Sequence, residues 1–467
     1  MTFHSTPLFE RRGLMLDISR NRVPTMSTLY HLVDALATLQ YNELQLYTEH
    51  TFAYTEHETV WRNASPMTGA EIRALDIYCS KRGIELVPNQ NSFGHMERWL
   101  RHEAYKPLAE CPDGFEHPWS GWREFGSTLY PDSNSAKFMD TLYQELLPHF
   151  TSQQLHIGGD EPWELGKGRS APRVQSEGKH RVYLEFMNQL FALTNKHGKT
   201  PQFWADIIME RPDLVPDLPK NVIPVIWGYE ADSPFEKQCQ TVLEAGFRDQ
   251  FYVAPGAGNW NSFSGRLDVA EANIQLAAEQ GHAHGARGLL LTAWGDNGHH
   301  QPWVTLYPAL VVAAAACHGQ ALSEAELAAT IDRVFFAKQT SGNGAALCAL
   351  GRIDGMLPQP APPNSMLHSA FFASHNELAN AILPLTNEEE LQNCSHAMNA
   401  ISSNGLAPEI ELALRLNRTS LERCLRSALS EDPAALLEDF ACEWRRRSRE
   451  GGLAESLAQM KHALASH

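Results

Sequence analysis

Residues 154–161 read Gln-Leu-His-Ile-Gly-Gly-Asp-Glu, residues 181–198 read Arg-Val-Tyr-Leu-Glu-Phe-Met-Asn-Gln-Leu-Phe-Ala-Leu-Thr-Asn-Lys-His-Gly, and residues 202–207 read Gln-Phe-Trp-Ala-Asp-Ile. The outer two are short apolar runs without strict alternation, the pattern of parallel strands buried on both faces. The middle one has a helical pattern and stops on a glycine, as helix C-caps do. The same succession recurs from Gly13 to about Gly319. Its other strand-like runs are Gly13–Ser19, Glu43–Glu49, Glu85–Gln90, Ile223–Tyr229, Phe251–Gly258 and Gly288–Asp296. Helical patterns cover Met26–Leu39, Thr68–Arg82, Ser135–Phe150, Arg181–His197, Pro234–Ala245, Leu267–Gln280 and Tyr307–His318. Eight strand–helix units predict an α/β fold of the (β/α)8 TIM-barrel type. Only the unit after the fifth strand lacks a clear helix, being rich in proline at Pro212, Pro216 and Pro219.

After Gly319 the strands cease. A capping box at Ser323–Glu326 leads into a helix over Ala328–Lys338, and a second, Thr386–Glu389, precedes Leu391–Ile401. The proline-rich Leu357–Ser365 between them is expected to be an extended connector. Leu414, Leu421, Leu425 and Ala428 mark one face of a further helix. The expected organisation is a catalytic barrel over residues 1–321 and a C-terminal all-helical region over residues 322–467.

The chain has 467 residues, 43% of them hydrophobic, enough for one large core and a second module. Its longest apolar stretches, such as Ala309 to Cys317, fall short of the ~20 residues of a membrane span. Met1 to Arg12 has no apolar stretch of the signal-peptide kind. The eight cysteines (Cys79, Cys111, Cys239, Cys317, Cys348, Cys394, Cys424 and Cys442) are scattered without a C-x-x-C. That argues for reduced thiols and a cytoplasmic location, and against a zinc site. A formal charge of −17 argues against nucleic acid and other polyanions. The one basic run, Arg445–Arg446–Arg447–Ser448–Arg449, reads as a solvated helix end.

In such a barrel, reactive groups gather at the carboxyl ends of the strands. The fourth strand runs into Gly158, Gly159, Asp160 and Glu161. Two successive carboxylates are costly unless used, and each raises the other's pKa, which suits a general acid. Gly-Gly-Asp-Glu also begins a diguanylate cyclase signature, but Pro162 and Trp163 follow here in a barrel context. Asn91, Gly94 and His95 follow the third strand. Trp204 and Asp206, Trp227, and Trp294 with Asp296 end the fifth, sixth and eighth. Three of eleven tryptophans at strand ends suggest an aromatic box around a sugar face or methyl group. The first strand begins with Arg12 and is followed by Arg20. The 21 histidines, including His299 and His300, show no metal-binding motif at the end of an early strand.

Arg-Gly-Leu-Met-Leu-Asp-Ile-Ser-Arg from Arg12, Phe-Gly-His from Phe93, His-Ile-Gly-Gly-Asp-Glu from His156 and Ala-Trp-Gly-Asp from Ala293 occur in this order. Together they resemble the β-N-acetylhexosaminidases of glycoside hydrolase family 20, over roughly two thirds of the chain. The resemblance implies exo-acting, retaining removal of a terminal β-linked N-acetylhexosamine, with the substrate's 2-acetamido group as nucleophile and no cofactor or metal. Glu161 would be the acid and then the base, and Asp160 would hold the acetamido N–H and stabilise the oxazolinium intermediate. Arg12 would bind the 3- and 4-hydroxyls, Asp296 the 4- and 6-hydroxyls, and Trp204, Trp227 and Trp294 would enclose the acetamido methyl. His95 would support the carboxylate pair.

This chain departs from the family pattern in three places. Tyr47–Thr48–Glu49 stands after the second strand, where the family has His and paired Asp. The tyrosine usual after the seventh strand is missing from Pro255–Trp260, leaving Asn259 or Trp260 as candidates for its place. The start of the first strand about twelve residues in leads us to expect no α/β domain before the barrel, which resembles the shorter members of the family. The implied partner is a small glycan or glycoconjugate, with no nucleic acid or membrane. GlcNAc against GalNAc and the oligomeric state, a homodimer included, stay open. A hydrolase pairing Glu161 with Glu49 or Asp296, and a non-catalytic sugar-binding barrel, are the alternatives.

Overall fold

Eight parallel strands close into a barrel in the computed structural model, which describes residues 6–336, 342–401 and 405–465. The first five residues of the stretch read for a leader, and the expected helix end at Lys338, lie outside the described residues. The barrel strands are β1 (Arg11–Asp17), β2 (Glu43–Thr48), β3 (Glu85–Gln90), β4 (Gln154–His156), β5 (Thr200–Trp204), β6 (Ile223–Gly228), β7 (Tyr252–Pro255) and β8 (Gly288–Ala293). Each pairs with its sequence neighbours, and β1 closes on β8 with Gly13 opposite Leu290. Helices return between strands, for example Met26–Thr38, capped by Thr25, and Gly69–Ser80, begun by a Thr68–Glu71 capping box. The proline-rich unit after β5 holds only a four-residue helix, Asp206–Met209, and a 3-10 turn, Pro212–Asp217.

The strands' continuous burial hides an alternation. Leu14, Leu16, Leu44, Leu46 and Phe203 face outward into the shell packed by the helices, while Met15, Tyr47, Trp204, Val225, Tyr252, Leu290 and Trp294 fill the interior. The interior is layered. At the amino-terminal end Arg11 pairs with Glu43 at 2.9 Å and with Glu85, and Tyr252 donates to Glu43 at 3.1 Å. Above it, Gln45 donates to Gln202 and accepts from Asn89, and Gln202 donates to Gln154, all at 2.8–2.9 Å. Buried amides are tolerated here because they hydrogen-bond to one another, although Asn89 Oδ1 is left without a partner. The top layer is aromatic and acidic, and it floors the carboxyl-terminal face.

From Glu324 onward the described residues form helices joined by turns and loops, without strands. The first capping box forms at Ser323 with Glu326. The second lies one residue later than expected: Asn387, not Thr386, caps Glu388–Ala400 with Glu390, and Thr386 Oγ1 donates to the same Glu390 carboxylate. The amide oxygen of Asn387 accepts the Glu390 N–H at 3.0 Å. Leu327, Ile331, Leu347 and Ile410 join the barrel's own core. The basic run is a solvated helix end only in part: Arg445 and Arg446 are exposed. Arg447 and Arg449 are partly buried: Arg447 pairs with Glu409 of a neighbouring helix at 2.6 Å, and Arg449 pairs with Glu71 at 2.8 Å, tying the helical region to the barrel. The final helix, Leu453–Ala465, reaches the site-bearing face, where Ser456 Oγ donates to Gly298 O at 2.6 Å and Glu455 pairs with Arg98 at 3.0 Å. No helix among the described residues is long and apolar enough to cross a membrane.

Candidate active site

β4 stops at His156 because the chain then turns through Gly158, at φ 72°, where a Cβ would collide with the Asn91 amide. Gly94 is needed for closeness: a Cβ there would sit 2.6 Å from Asp160 O. The loops after β3 and β4 therefore interlock, and His95 comes to lie against the carboxylate pair. Asp160 is buried. Its Oδ1 accepts from Asn91 Nδ2 at 3.1 Å and its Oδ2 from His95 Nε2 at 3.1 Å. Glu161, held at φ 46°, places Oε2 3.6 Å from the same His95 nitrogen.

The two acids are pushed apart electrostatically. Burial raises Asp160, but His95, Arg20 and the Asn91 hydrogen bond together hold it below the usual carboxylate value. Glu161 is raised by burial and by the charges of Asp160 and Asp296, against the pull of His95 and Arg20. One carboxyl is thus favoured as the anion and its neighbour as the acid. Burial works to lower His95, yet contact with Asp160 lifts it to about 9.

Arg20 organises the next ring of groups. Its Nη1 binds Asp17 at 3.1 Å, its Nε faces Glu49 at 3.2 Å, and its Nη2 lies 3.3 Å from His95 Nδ1. Its guanidinium stacks over Tyr47 at 4.9 Å and Trp294 at 5.2 Å. Tyr47 donates to Glu49 at 3.0 Å and accepts from Asn91 at 3.1 Å. The Tyr47–Thr48–Glu49 departure therefore still feeds an acid network, through a phenol. Asp206 accepts from the Trp227 indole and the Glu161 N–H. Burial and the charges of Asp160 and Glu161 drive it up to about 8.

Most of the expected site residues converge here. His95, Asp160, Glu161 and Trp294 are in direct or ring contact with this network, and Asp296, at φ 42°, lies within its field. Trp204 is fully buried beneath it, 6.0 Å from Trp294 and 4.3 Å from His156, so it forms floor and not exposed wall. Trp227 is half-buried. Trp260 is buried in the barrel interior, and Asn259 is buried with an unpartnered Oδ1.

Arg12 is the exception and a correction. It belongs to the amino-terminal end of β1 and to the outward-facing row, and its guanidinium donates to the carbonyls of Phe9 at 2.8 Å and Gln40 at 2.9 Å. The arginine at the site is Arg20. Tyr229, just past β6, was not anticipated. It stacks on Trp227 at 4.9 Å and meets Trp260 edge-on at 5.2 Å. Its signal in the sequence was its spacing of two from Trp227, the step that returns a side chain to the same side of a strand. Among the described residues, no group of three or more His, Cys, Asp or Glu is arranged to hold a metal ion.

Comparison with known proteins places residues 9–255 within the model of glycosyl hydrolase family 20, catalytic domain. Hexosaminidase D of Homo sapiens is 25% identical over 332 residues, covering 67% of this chain and 65% of that protein. Beta-hexosaminidase subunit alpha of Bos taurus is 27% identical over 263 residues, covering 52% of this chain and 47% of that one. The chain thus spans less than two thirds of the length of these relatives. Among solved structures, a Flavobacterium johnsoniae chitobiase has the same fold, with a TM-score of 0.56 and 18% identity over 98% of this chain and 78% of that chain.

Proposed function

Because the chain belongs to glycosyl hydrolase family 20, we propose that it removes a terminal β-linked N-acetylhexosamine, GlcNAc or GalNAc, from the non-reducing end of a glycan or glycoconjugate. The observation that carries this reading is the shared contact of His95 Nε2 with Asp160 and Glu161, whose carboxyls are shifted in opposite directions.

The acetamido oxygen of the substrate attacks the anomeric carbon while the bond to the leaving oxygen breaks and that oxygen takes the proton of Glu161. Asp160, kept anionic, accepts the acetamido N–H and stabilises the positive charge of the oxazolinium ion. Glu161, now a carboxylate, takes a proton from water, which opens the ring from the face the leaving group left. Configuration is retained and Glu161 is protonated again. Arg20, with Glu49 and Asp296, takes the hydroxyl-binding role. Trp227, Trp294 and Tyr229 wall the acetamido group, with Tyr229 in place of the family tyrosine.

The helical region from residue 322 serves this site by bracing the loops after β1 and β8. A cytoplasmic site of action is part of the same proposal, supported by the exposed free thiol of Cys442. Hydrolysis of a β-N-acetylglucosaminide against the β-glucoside of the same leaving group tests the mechanism. Rapid cleavage of the first alone is expected; comparable rates would mean that two protein carboxylates do the work.

A further inference from the structure

Between β3 and β4 the chain inserts an antiparallel hairpin, Phe115–His117 with Gly121–Arg123, pairing Phe115 with Arg123, Glu116 with Trp122 and His117 with Gly121. Directly opposed residues share a face. Phe115, His117 and Arg123 therefore look one way, and Glu116 and Trp122 the other. The first face is turned to the catalytic loops: Phe115 is buried, Arg123 pairs with Glu97 at 3.1 Å, and the His117 ring meets Trp163 edge-on at 5.8 Å. Glu97 follows His95 by two residues, and Trp163 follows Glu161 by two, donating its N–H to Glu161 O at 2.7 Å.

At the hairpin turn, Trp119 stands at 87° to the same Trp163, with centroids 6.2 Å apart. It is 79% exposed, yet its place is fixed: His117 Nδ1 accepts the N–H of Trp119 at 3.2 Å and of Ser120 at 3.3 Å. Trp119 and Trp163 thus set two indoles side by side on the loop that carries Glu161 and on the hairpin packed against it. The open side of the pair is that of Glu161, whose side chain is 33% exposed against 9% for Asp160.

We propose that Trp119, Trp163 and His117 form the wall that binds the sugar ring on the leaving side of the scissile bond. The proposal rests on Glu161 being the acid that protonates the departing oxygen, which keeps the first ring of the leaving group close to its carboxyl. A pyranose presents an apolar C–H face, and two indoles at a right angle offer one surface for that face and one for its edge. The occupant is the second ring of a β-linked oligosaccharide, not a lipid chain or a peptide.

Two substrates and two variants test the wall: a β-linked disaccharide of N-acetylglucosamine, whose leaving group is a pyranose, and the β-fluoride of the same sugar, whose leaving group has no ring. Trp119→Ala is expected to lower kcat/KM on the disaccharide about tenfold and to leave the fluoride untouched. Trp122→Ala, on the outward face, should change neither, and both variants should melt with the wild type. Both substrates are also made with N-acetylgalactosamine at the non-reducing end, and the comparison is read on the sugar that the wild type cleaves; a wild type that cleaves neither sugar's pair removes the proposed function and the wall with it. A wild type that cleaves both, with Trp119→Ala losing nothing on the disaccharide or losing equally on the two, overturns the wall and leaves the hydrolase standing. Cleavage of the fluoride alone by the wild type would also overturn it.

Discussion

His95 donates from Nε2 to Asp160 Oδ2 over 3.1 Å while the same nitrogen stands 3.6 Å from Glu161 Oε2, so one imidazole biases both acids. Activity requires Asp160 charged, so it is lost as pH falls through a pKa that His95 helps to lower. It requires Glu161 protonated in the free enzyme, so it is lost as pH rises through a pKa that burial raises and His95 restrains. His95→Asn keeps a donor for Asp160 but removes the positive charge, so both restraints vanish together. Both limbs of the kcat/KM profile should move to higher pH. Limbs that stay in place would show that His95 acts only as a neutral donor.

Glu161→Gln separates proton donation from the rest of the site. The loss should reach ~10²–10⁴-fold on substrates with poor leaving groups, the usual scale for a missing general acid. Good leaving groups depart without protonation, so their cleavage step should be spared. Equal losses in that step across a leaving-group series would take the acid role away from Glu161.

The barrel was legible because parallel strands and their return helices impose different periods on the chain, and all eight strand-like runs became strands. Their carboxyl ends were overread: the run Gln154–Glu161 contains a strand only to His156, since the glycines that release Asp160 and Glu161 also end the ladder. The tryptophans at strand ends could be placed because an inward position at that height has one destination. Tyr47 and Asn91 could not be linked to Asp160, because their hydrogen bonds join β2 to the loops after β3 and β4. Arg12 was misplaced for want of direction along β1, which starts at the amino-terminal face and reaches the site only at Asp17. The capping register at Asn387 was missed because Thr386 and Asn387 are both capping residues and Glu389 and Glu390 both suit the third helical position.

The two arginines give a paired test of that correction. Arg20→Lys keeps a charge between Asp17 and Glu49 but loses the planar fork that meets both. It should lower kcat/KM by about 10–100-fold, since misplacement of ~1 Å at a positioned group costs ~10²-fold. Arg12→Met should leave kcat and KM unchanged and lower stability instead, by about 1 kcal/mol for each backbone carbonyl it abandons. Kinetics and thermal melting of both variants decide the matter. A kinetic defect in Arg12→Met with Arg20→Lys near wild type would restore the first assignment.

The aromatic wall has to be tested where burial does not confuse the result. Trp204 is fully enclosed under the site, so Trp204→Ala should cost ~3–5 kcal/mol of stability whatever its catalytic role. Trp227 is half-buried and stacked on Tyr229, which makes it the better probe. If these rings align the acetamido oxygen for attack, Trp227→Ala should lower kcat as well as raise KM, because orientation supplies much of the rate of an intramolecular reaction. It should also weaken a thiazoline mimic of the bicyclic intermediate more than it weakens free N-acetylglucosamine. Tyr229→Phe keeps the stack and removes one hydroxyl. A loss of about 2.7–4 kcal/mol in transition-state stabilisation is expected if that hydroxyl is the main donor to the developing charge. Asn259→Ala and Trp260→Phe, at the two places first considered for that donor, should then lose far less. Wild-type kcat and thiazoline affinity in both Trp227→Ala and Tyr229→Phe would reduce the pair to packing.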